Sequence, residues 1–346
     1  MSRVTIKDIA RKLNVSATTV SNALNDKPGV GKSARKEIQD LARAMGYQPN
    51  YFAKGLVSRQ SYAIGLVITN ITDPFYPELA LGVQEKAEES GYSTMLFNTN
   101  HNQESQETII RMLGAKGVDG IILSTVHHDD PAIDLLDEME MPYVLVNRMI
   151  LNPRKAGHID SVTLDNYTGS HQAATHLCRL GHTRIAVIAG DMDASTAITR
   201  TSGAMDAFKE WGVSLPENWF VDCGYTKDRA FNAAQKILTC SAPRPTAILA
   251  QDDNMALGVR EAAYAAGLRI PEDLALVGFN DISFASLIGI ELTTIRQDQH
   301  HMGMTCAEIL IKKLQDPKRR ELCNNVLIQT ELVIRKSCGF YPDGYP

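Results

Sequence analysis

The sequence lacks the short motifs that mark the common enzyme classes. It has no GxGxxG turn after a strand, no GxxxxGK[ST] phosphate loop and no GxSxG nucleophile elbow. Its adjacent histidine pairs, His127-His128 and His300-His301, are poor metal sites because neighbours on a chain rarely point at one ion. We therefore expect no catalytic residues, no bound metal and no cofactor.

Cysteine is scarce and long apolar runs are missing. The six cysteines form no CxxC pair, which argues against a zinc site and fits buried, reduced thiols in a cytoplasmic protein. No apolar run approaches the length needed to span a membrane, and the chain opens without a signal peptide. We expect a cytoplasmic protein with no membrane partner.

Positive charge is concentrated at the amino end of an otherwise acidic chain. Residues 1–60 hold eleven Lys or Arg and four Asp or Glu, so 11 − 4 gives +7, whereas the whole chain is −5 and the remainder is therefore −12. This asymmetry suits a head that binds a polyanion and a body that stays away from it.

Residues 5–25 predict two short helices joined by a tight turn. Thr5 with Asp8 three residues later suits a capping-box start. Asn14 falls at the turn, where a left-handed conformation is needed, and Ser16 suits the N-cap of the second helix. That helix presents a small, polar outer face, as expected for a recognition helix in a DNA major groove, although an ordinary surface helix can show the same pattern.

These residues resemble the lactose-repressor (LacI) family of bacterial transcription regulators, from Val4 to about Arg335. The resemblance rests on the runs Val4–Ala10, Val15-Ser16, Thr19-Val20-Ser21, Leu24-Asn25 and Gly46–Asn50. It implies an α/β protein with an N-terminal three-helix helix-turn-helix DNA-binding domain, a hinge helix, and a two-lobed, periplasmic-binding-protein-like body with parallel sheets. The implied function is a sequence-specific repressor, controlled by a small-molecule effector and bound as a homodimer to a pseudo-palindromic operator in double-stranded DNA.

The resemblance also implies which residues contact DNA. Asn22 stands where the family commonly has Arg; since Asn suits adenine and Arg suits guanine, we predict a shifted operator preference at the base pair facing it. Gly31 replaces the Ser that usually caps the third helix. The predicted DNA contacts are Thr5, Ser16, Ala17, Thr18, Thr19, Ser21, Asn22, Asn25, Tyr47, Asn50, Ala53, Lys54 and Leu56.

Residues 47–60 are predicted to be a hinge. Pro49 stops the preceding element and Asn50 can cap a helix of about two turns, too short to be stable alone. A plain flexible linker is the alternative in free solution. The resemblance implies that the hinge folds on DNA and that Leu56 wedges between base steps in the minor groove. Lys54 and Gly55 replace the Arg-Ser common in the family.

The body alternates apolar strands with amphipathic helices, which predicts parallel sheets covered on both faces. The predicted strands are 63–68, 94–97, 120–123, 143–146, 184–188, 246–249 and 274–277. The family fold implies the following domains: 1–46 helix-turn-helix, 47–60 hinge, 61–162 with 294–325 for the first effector lobe, 163–293 with 326–340 for the second, and 341–346 as a tail. The C-terminal residues 337–346 are Pro- and Gly-rich and contain no Leu heptad of the kind through which the lactose repressor forms its tetramer, so we expect a dimer.

Ligands of parallel sheets bind beyond the carboxyl ends of the strands, so we expect the effector in a cleft between the lobes. The candidates are Asp73, Phe75, Tyr76, Ser124, Arg148, Arg200, Tyr225, Asp252 and Asn280. Arg200 matches a family arginine that binds ligand hydroxyls or carboxylates. This set favours a sugar or sugar derivative; a purine or other metabolite, acting as co-repressor, is the alternative through aromatic stacking. Asp252 stands where the family commonly has Asn, and Asn280 stands where it commonly has Asp. Either one cleft carboxylate has moved from one strand end to its neighbour, or the two positions changed independently by chance.

Two further classes are weaker alternatives. The body shares its predicted fold with solute-binding proteins and with doubly wound enzymes. The missing leader argues against the first class and the missing cofactor loop argues against the second.

Overall fold

A computed structural model describes residues 4–47, 60–153, 158–240, 243–316, 318–319 and 322–339. The chain divides into two compact units, 1–61 and 62–346. Across the described residues, no helix combines the length and apolar character needed to cross a membrane.

The described part of the first unit contains three helices, as predicted. They are α1 (Ile6–Leu13), α2 (Ala17–Leu24) and α3 (Lys32–Ala44). The Asp8 carboxylate accepts hydrogen bonds from the backbone N–H and the hydroxyl of Thr5, at 3.0 and 2.7 Å. These bonds hold the pKa of Asp8 below its usual value. Asn14 ends α1 in the left-handed conformation, with φ of 50°, and Gly31 is the N-cap of α3.

A small apolar core joins these helices. Ile9, Val20, Ala23, Ile38 and Ala42 are buried in it. The Ser16 hydroxyl accepts a hydrogen bond from the Thr19 N–H at 3.0 Å, which confirms the predicted cap of α2.

Twelve strands form in the described part of the second unit. They are β1 (Ala63–Ile68), β2 (Ser93–Asn98), β3 (Gly120–Leu123), β4 (Tyr143–Val146), β5 (Ser161–Leu164), β6 (Ile185–Ala189), β7 (Phe220–Asp222), β8 (Ala247–Ala250), β9 (Ala275–Val277), β10 (Thr294–Arg296), β11 (Asn325–Ile328) and β12 (Glu331–Val333). The helices between them are α4 (Phe75–Glu89), α5 (Gln103–Ala115), α6 (Ala132–Glu138), α7 (Asn166–Arg179), α8 (Ser195–Glu210), α9 (Lys227–Cys240), α10 (Asp253–Ala265) and α11 (Gln299–Gln315).

Two parallel sheets organise this unit. The first has the order β11-β5-β4-β3-β1-β2, and the second has the order β7-β6-β8-β9; β10 and β12 form a separate antiparallel pair. Because β5 and β11 pair in register, the first sheet runs past the predicted lobe limits at 162 and 325, to 164 and 328. The assignment of whole lobes stays a prediction.

Glycines allow some helices of the second unit to approach backbone to backbone. A Cβ at Gly82 in α4 would lie 2.1 Å from the His300 carbonyl oxygen in α11. Reciprocally, a Cβ at Gly303 would lie 2.2 Å from the Leu79 carbonyl oxygen. Helix α4, which begins next to the strand ends, is therefore in close contact with α11.

Candidate functional site

The outer face of α2 is available for contact with a partner. Ala17 and Thr18 are exposed, and Ser21 and Asn22 are half-buried. Among the described residues, none bonds to the side-chain amide of Asn22, which leaves its donor and acceptor free for a base edge. The Asn25 amide instead donates to the Ser21 carbonyl oxygen at 2.8 Å, so Asn25 helps to end the helix.

The other predicted DNA contacts lie in three places. Thr5, Ser16 and Thr19 lie at the amino ends of α1 and α2, where their hydroxyls take part in capping bonds. Tyr47 is half-buried against the three-helix core. Asn50, Ala53, Lys54 and Leu56 lie outside the described residues, together with nearly all of the predicted hinge.

In the second unit, a cavity lies at the carboxyl ends of strands from both sheets. We call it the cleft cavity; it opens to solvent. Its lining includes eight residues predicted from the sequence: Asp73, Phe75, Tyr76, Arg148, Arg200, Tyr225, Asp252 and Asn280. The remaining candidate, Ser124, is fully buried beside the Tyr76 hydroxyl and does not line the cavity.

Four lining residues were not among the predicted candidates: Thr69, His101, Asn147 and Thr196. Thr69 and Asn147 directly follow β1 and β4, so the strand-end rule that identified Arg148 would also have found them. His101 lies three residues beyond β2 with φ of 59°, and Thr196 lies in the first turn of α8. Neither of these two carries a distinct sequence signal.

Arg200 is the most constrained cation in the cavity. Its side chain is 2% exposed, and its Cζ lies 3.7 Å from the centroid of the Phe279 ring. Nε donates to the Asn166 side chain at 2.8 Å and Nη1 donates to the Gln251 carbonyl oxygen at 2.5 Å. Among the described residues, none accepts a hydrogen bond from Nη2, so part of the guanidinium fork remains for a ligand.

Two buried carboxyl groups lie in the same cavity as two buried arginines. Asp73 and Asp252 come from different sheets, and both line the cavity with Arg148 and Arg200. Burial raises the pKa of Asp73 to about 6. Burial and then the charge of Asp73 hold the pKa of Asp252 well above its ordinary value. The two acids therefore oppose each other's ionisation, while Asp252 also caps α10 by accepting from the Met255 N–H at 2.6 Å.

The aromatic residues of the cavity differ in how much of each ring is open to a ligand. Phe75 and Tyr76 are 3% and 4% exposed and meet each other edge to face, at 5.1 Å between ring centroids. Tyr225 is half-buried, and its hydroxyl lies 2.8 Å from Thr196 Oγ1. Its ring packs on Gly190, where a Cβ would lie 2.1 Å from Tyr225 Cζ. Tyr225 is therefore the ring best placed to contact a ligand.

The predicted exchange between Asp252 and Asn280 concerns the ends of two neighbouring strands. The two residues follow β8 and β9, which are neighbours in the second sheet, and both line the cavity. Asn280 Oδ1 accepts a hydrogen bond from Gln297 Nε2. A carboxylate at either position would face the same space, so the proposed move of charge stays a prediction.

Hydrogen bonds connect loops of the two sheets beside this cavity. The His128 N–H, after β3, donates to the Asp193 carbonyl oxygen at 2.8 Å. The Met149 N–H, after β4, donates to Ser195 Oγ at 2.9 Å. These bonds depend on the spacing between the sheets, so a bound molecule that changes this spacing would make or break them.

Two family models match the chain. Residues 5–50 match the bacterial regulatory proteins of the lacI family. Residues 61–336 match the periplasmic binding proteins and sugar binding domain of the LacI family. Together they cover the three helices and both sheets.

Whole-length relatives agree with these matches. The HTH-type transcriptional repressor PurR of Salmonella newport (strain SL254) is 30% identical over 339 residues, with 98% of each chain covered. The protein of the same name from Photobacterium profundum is 31% identical over 334 residues, covering 96% of this chain and 98% of that one.

Solved structures show the same architecture. The lac repressor dimer bound to operator and the anti-inducer ONPF matches with a TM-score of 0.85 and 25% identity, covering 97% of this chain and 99% of that one. A complex of the transcriptional regulator CelR with cellobiose matches with a TM-score of 0.74 and 29% identity, covering 97% and 100%. The helix-turn-helix, the two parallel sheets and these full-length matches lead to one conclusion: the chain belongs to the LacI family, as a DNA-binding transcriptional repressor with an effector-binding body rather than an enzyme.

Proposed function

We propose that the effector of this repressor is a polyhydroxylated small molecule, a sugar or sugar derivative, bound in the cleft cavity. The observation that carries the proposal is the meeting of Arg148 and Arg200 with Asp73 and Asp252 in one buried space. Sugar hydroxyls can donate to the carboxyl oxygens and accept from the arginines, so one polyhydroxylated ligand can pair with both kinds of group.

A purine acting as co-repressor is the second candidate. Aromatic side chains in the cavity favour it, because a planar base binds well by stacking. Phe75 and Tyr76 are, however, almost fully buried against each other, which leaves the half-buried Tyr225 as the main stacking surface.

On the DNA side, we propose that α2 enters the major groove. The exposed Ala17 and Thr18, with Ser21 and Asn22, contact base edges. The residues that support this helix or reach the backbone and the minor groove are Thr5, Ser16, Thr19, Asn25, Tyr47, Asn50, Ala53, Lys54 and Leu56. The protein acts as a homodimer on a pseudo-palindromic operator in the bacterial cytoplasm, and is nucleoid-associated when bound there.

The effector controls DNA binding by shifting the spacing between the two sheets. A ligand can shift this equilibrium only by binding the two arrangements with different affinity. Residues of both sheets line the cleft cavity, and the bonds from His128 and Met149 join the sheets beside it. Ligand binding therefore changes the geometry at the start of β1, to which the predicted hinge is joined.

The test combines a thermal-shift panel with an operator-binding assay on the full-length protein. Neutral sugars, polyols, sugar phosphates and nucleobases are compared, and the hit is added to the operator assay. A ligand at 100 times its dissociation constant should stabilise the folded state by ~2.7 kcal/mol.

Arg200→Lys keeps the charge but removes the guanidinium fork, so it should lower the affinity for the identified ligand by at least about tenfold. Arg179→Lys, at an exposed position of α7, is the matched control. Stabilisation by a nucleobase alone, with no response to any sugar, would refute the proposal and favour the purine.

A further inference from the structure

A groove separate from the cleft cavity lies in the second unit, between β7, at one edge of the second sheet, and the helix α9. We call it the edge groove; it opens to solvent and has a volume of about 450 Å³. Sites for small molecules commonly have volumes in this range. No described residue lines both the edge groove and the cleft cavity, so a molecule bound in the groove would not occupy the proposed effector site.

The floor of the edge groove is apolar. Val221 and Cys223 line it from the side of the sheet, and Ala233 and Ile237 line it from α9. Cys223, Ala233 and Ile237 are buried, and Val221 is half-buried. A ligand with an apolar body would therefore shield this floor from water and be stabilised by the hydrophobic effect.

The rim of the edge groove carries one positive charge in excess. Arg229 is already engaged, because its Nη2 donates to the Asp222 carbonyl oxygen at 3.2 Å and lies 4.0 Å from the Asp222 carboxylate. Lys236 stands seven residues further along α9, on the same side of the helix. No residue in the described part of the chain pairs with its ammonium group. One anionic group on the ligand would complement this charge, and Asn218 and Asn232 supply amide groups at the same rim.

The edge of the sheet is a poor template for an added peptide strand. The strand β7 has only three residues, Phe220–Asp222. The Asp222 carbonyl, at its end, already accepts a hydrogen bond from Arg229. Short edge strands with charged side chains are features that discourage strand pairing. A small molecule therefore fits the groove better than an extended peptide does.

We infer that the edge groove is a second ligand site, which binds a small organic acid with an apolar body and one carboxylate. The body lies against Val221, Ala233 and Ile237. The carboxylate accepts from the Lys236 ammonium group, with the Asn232 amide as a further donor. This site is independent of the molecule that occupies the cleft cavity.

Isothermal titration of the full-length protein tests the inference with four probes. The first, 4-phenylbutyrate, has both the apolar body and the carboxylate, whereas 4-phenylbutyramide keeps the body without the charge and acetate keeps the charge without the body. Octanoate replaces the ring by a flexible chain. We expect 4-phenylbutyrate or octanoate to bind, acetate to show no binding, and the amide to bind about three- to tenfold more weakly than its acid.

A first pair of variants tests the charge. Lys236→Gln should weaken 4-phenylbutyrate by about three- to tenfold and leave the amide unchanged, because only the acid uses the ammonium group. Lys209→Gln is the matched control, since Lys209 is exposed on α8 and lines neither cavity.

A second pair of variants tests the location. Asn232→Trp places a large ring at the rim and should abolish binding of both the acid and its amide. Gln235→Trp puts the same ring on an exposed position of α9 outside the groove and should leave both affinities unchanged. Because both positions are exposed, urea unfolding of each variant should match the wild type.

Each other outcome overturns the inference. Equal affinity for the acid and its amide, or equal losses on Lys236→Gln and Lys209→Gln, shows that Lys236 does not bind a carboxylate. Binding that survives Asn232→Trp places the acid elsewhere, and its loss on Arg200→Lys would then locate it in the cleft cavity. Failure of both 4-phenylbutyrate and octanoate to bind refutes the second site, while the proposed sugar response is still tested by its own panel.

Discussion

Replacing Asp252 with Asn should stabilise the free protein at neutral pH. The side chain is 2% exposed, and burial, followed by the charge of Asp73 from the other sheet, raises the pKa of Asp252. Asn removes this repulsion and still caps α10 well, since Asn and Asp are among the best N-cap residues. Asp252→Ala removes the same charge but also loses the cap to Met255, at a cost of about 0.5–2 kcal/mol.

The shift of Asp73 shows the scale of the cost of ionising a buried carboxyl in this cavity. Burial raises the pKa of Asp73 to about 6, in place of 3.8, which corresponds to about 3 kcal/mol at neutral pH, and Asp252 is at least as buried. Since Asn must also be buried, we expect a net gain of about 1–3 kcal/mol for Asp252→Asn. For a unit of this size each kcal/mol raises the melting temperature by roughly 2–4 °C.

The pH dependence gives the sharper test. A carboxyl with a raised pKa in the folded state contributes stability that is fully present below about pH 3.8 and is lost as pH rises through about 6. The gain of Asp252→Asn should therefore be largest near pH 7.5 and vanish near pH 4. Differential scanning fluorimetry of wild type, Asp252→Asn and Asp73→Asn at half-unit pH steps measures it. A gain that is independent of pH, or a loss at pH 7.5, would refute the reasoning.

Affinity for the effector is a second readout of the same position. If the cleft carboxylate moved from the position of Asn280 to Asp252, then Asp252→Ala should weaken the effector by at least about tenfold. An unchanged affinity would indicate chance drift. The reciprocal double variant, with Asn at 252 and Asp at 280, should recover part of the loss.

Three further variants test separate features. Asn22→Arg should move the preferred base facing this residue from adenine toward guanine in a selection from random DNA, and an unchanged consensus would contradict this. Gly190→Ala should displace the Tyr225 ring and weaken the effector by about tenfold, measured by titration, with a smaller effect on urea unfolding. Gly82→Ala should cost about 1–3 kcal/mol in urea unfolding because the new Cβ meets backbone, whereas Gly114→Ala, which meets only the flexible Met139 methyl, should be tolerated.

The sequence predicted the elements that carry strong periodicity. All seven predicted strands are present within one residue of their predicted ends. The five strands that were not predicted are short, three or four residues each, and several lack the apolar run that is typical of a buried strand. Ser161–Leu164 alternates polar and apolar residues like a half-exposed strand, yet all four residues are buried in the interior of the first sheet.

The cavity was predictable where strand ends supplied its residues. Arg148, Asp252 and Asn280 each follow a strand directly or nearly so, and the structure brings them together. The opposition of Asp73 and Asp252 was not predictable, because it depends on how the two sheets face each other. The unpaired Thr125 hydroxyl could not be predicted either, because the folded structure decides whether a hydroxyl has a hydrogen-bond partner.

The order of strands in the first sheet has a consequence for synthesis on the ribosome. The second sheet is complete at residue 277, but the first needs β11 at 325–328, and α4 needs α11 at 299–315 to cover it. At about 5–20 residues per second, the interval between residues 89 and 299 is roughly 10–40 s. For that time the apolar face of α4 has no α11 to cover it, so the nascent chain exposes a hydrophobic surface there while the rest of the body is being made.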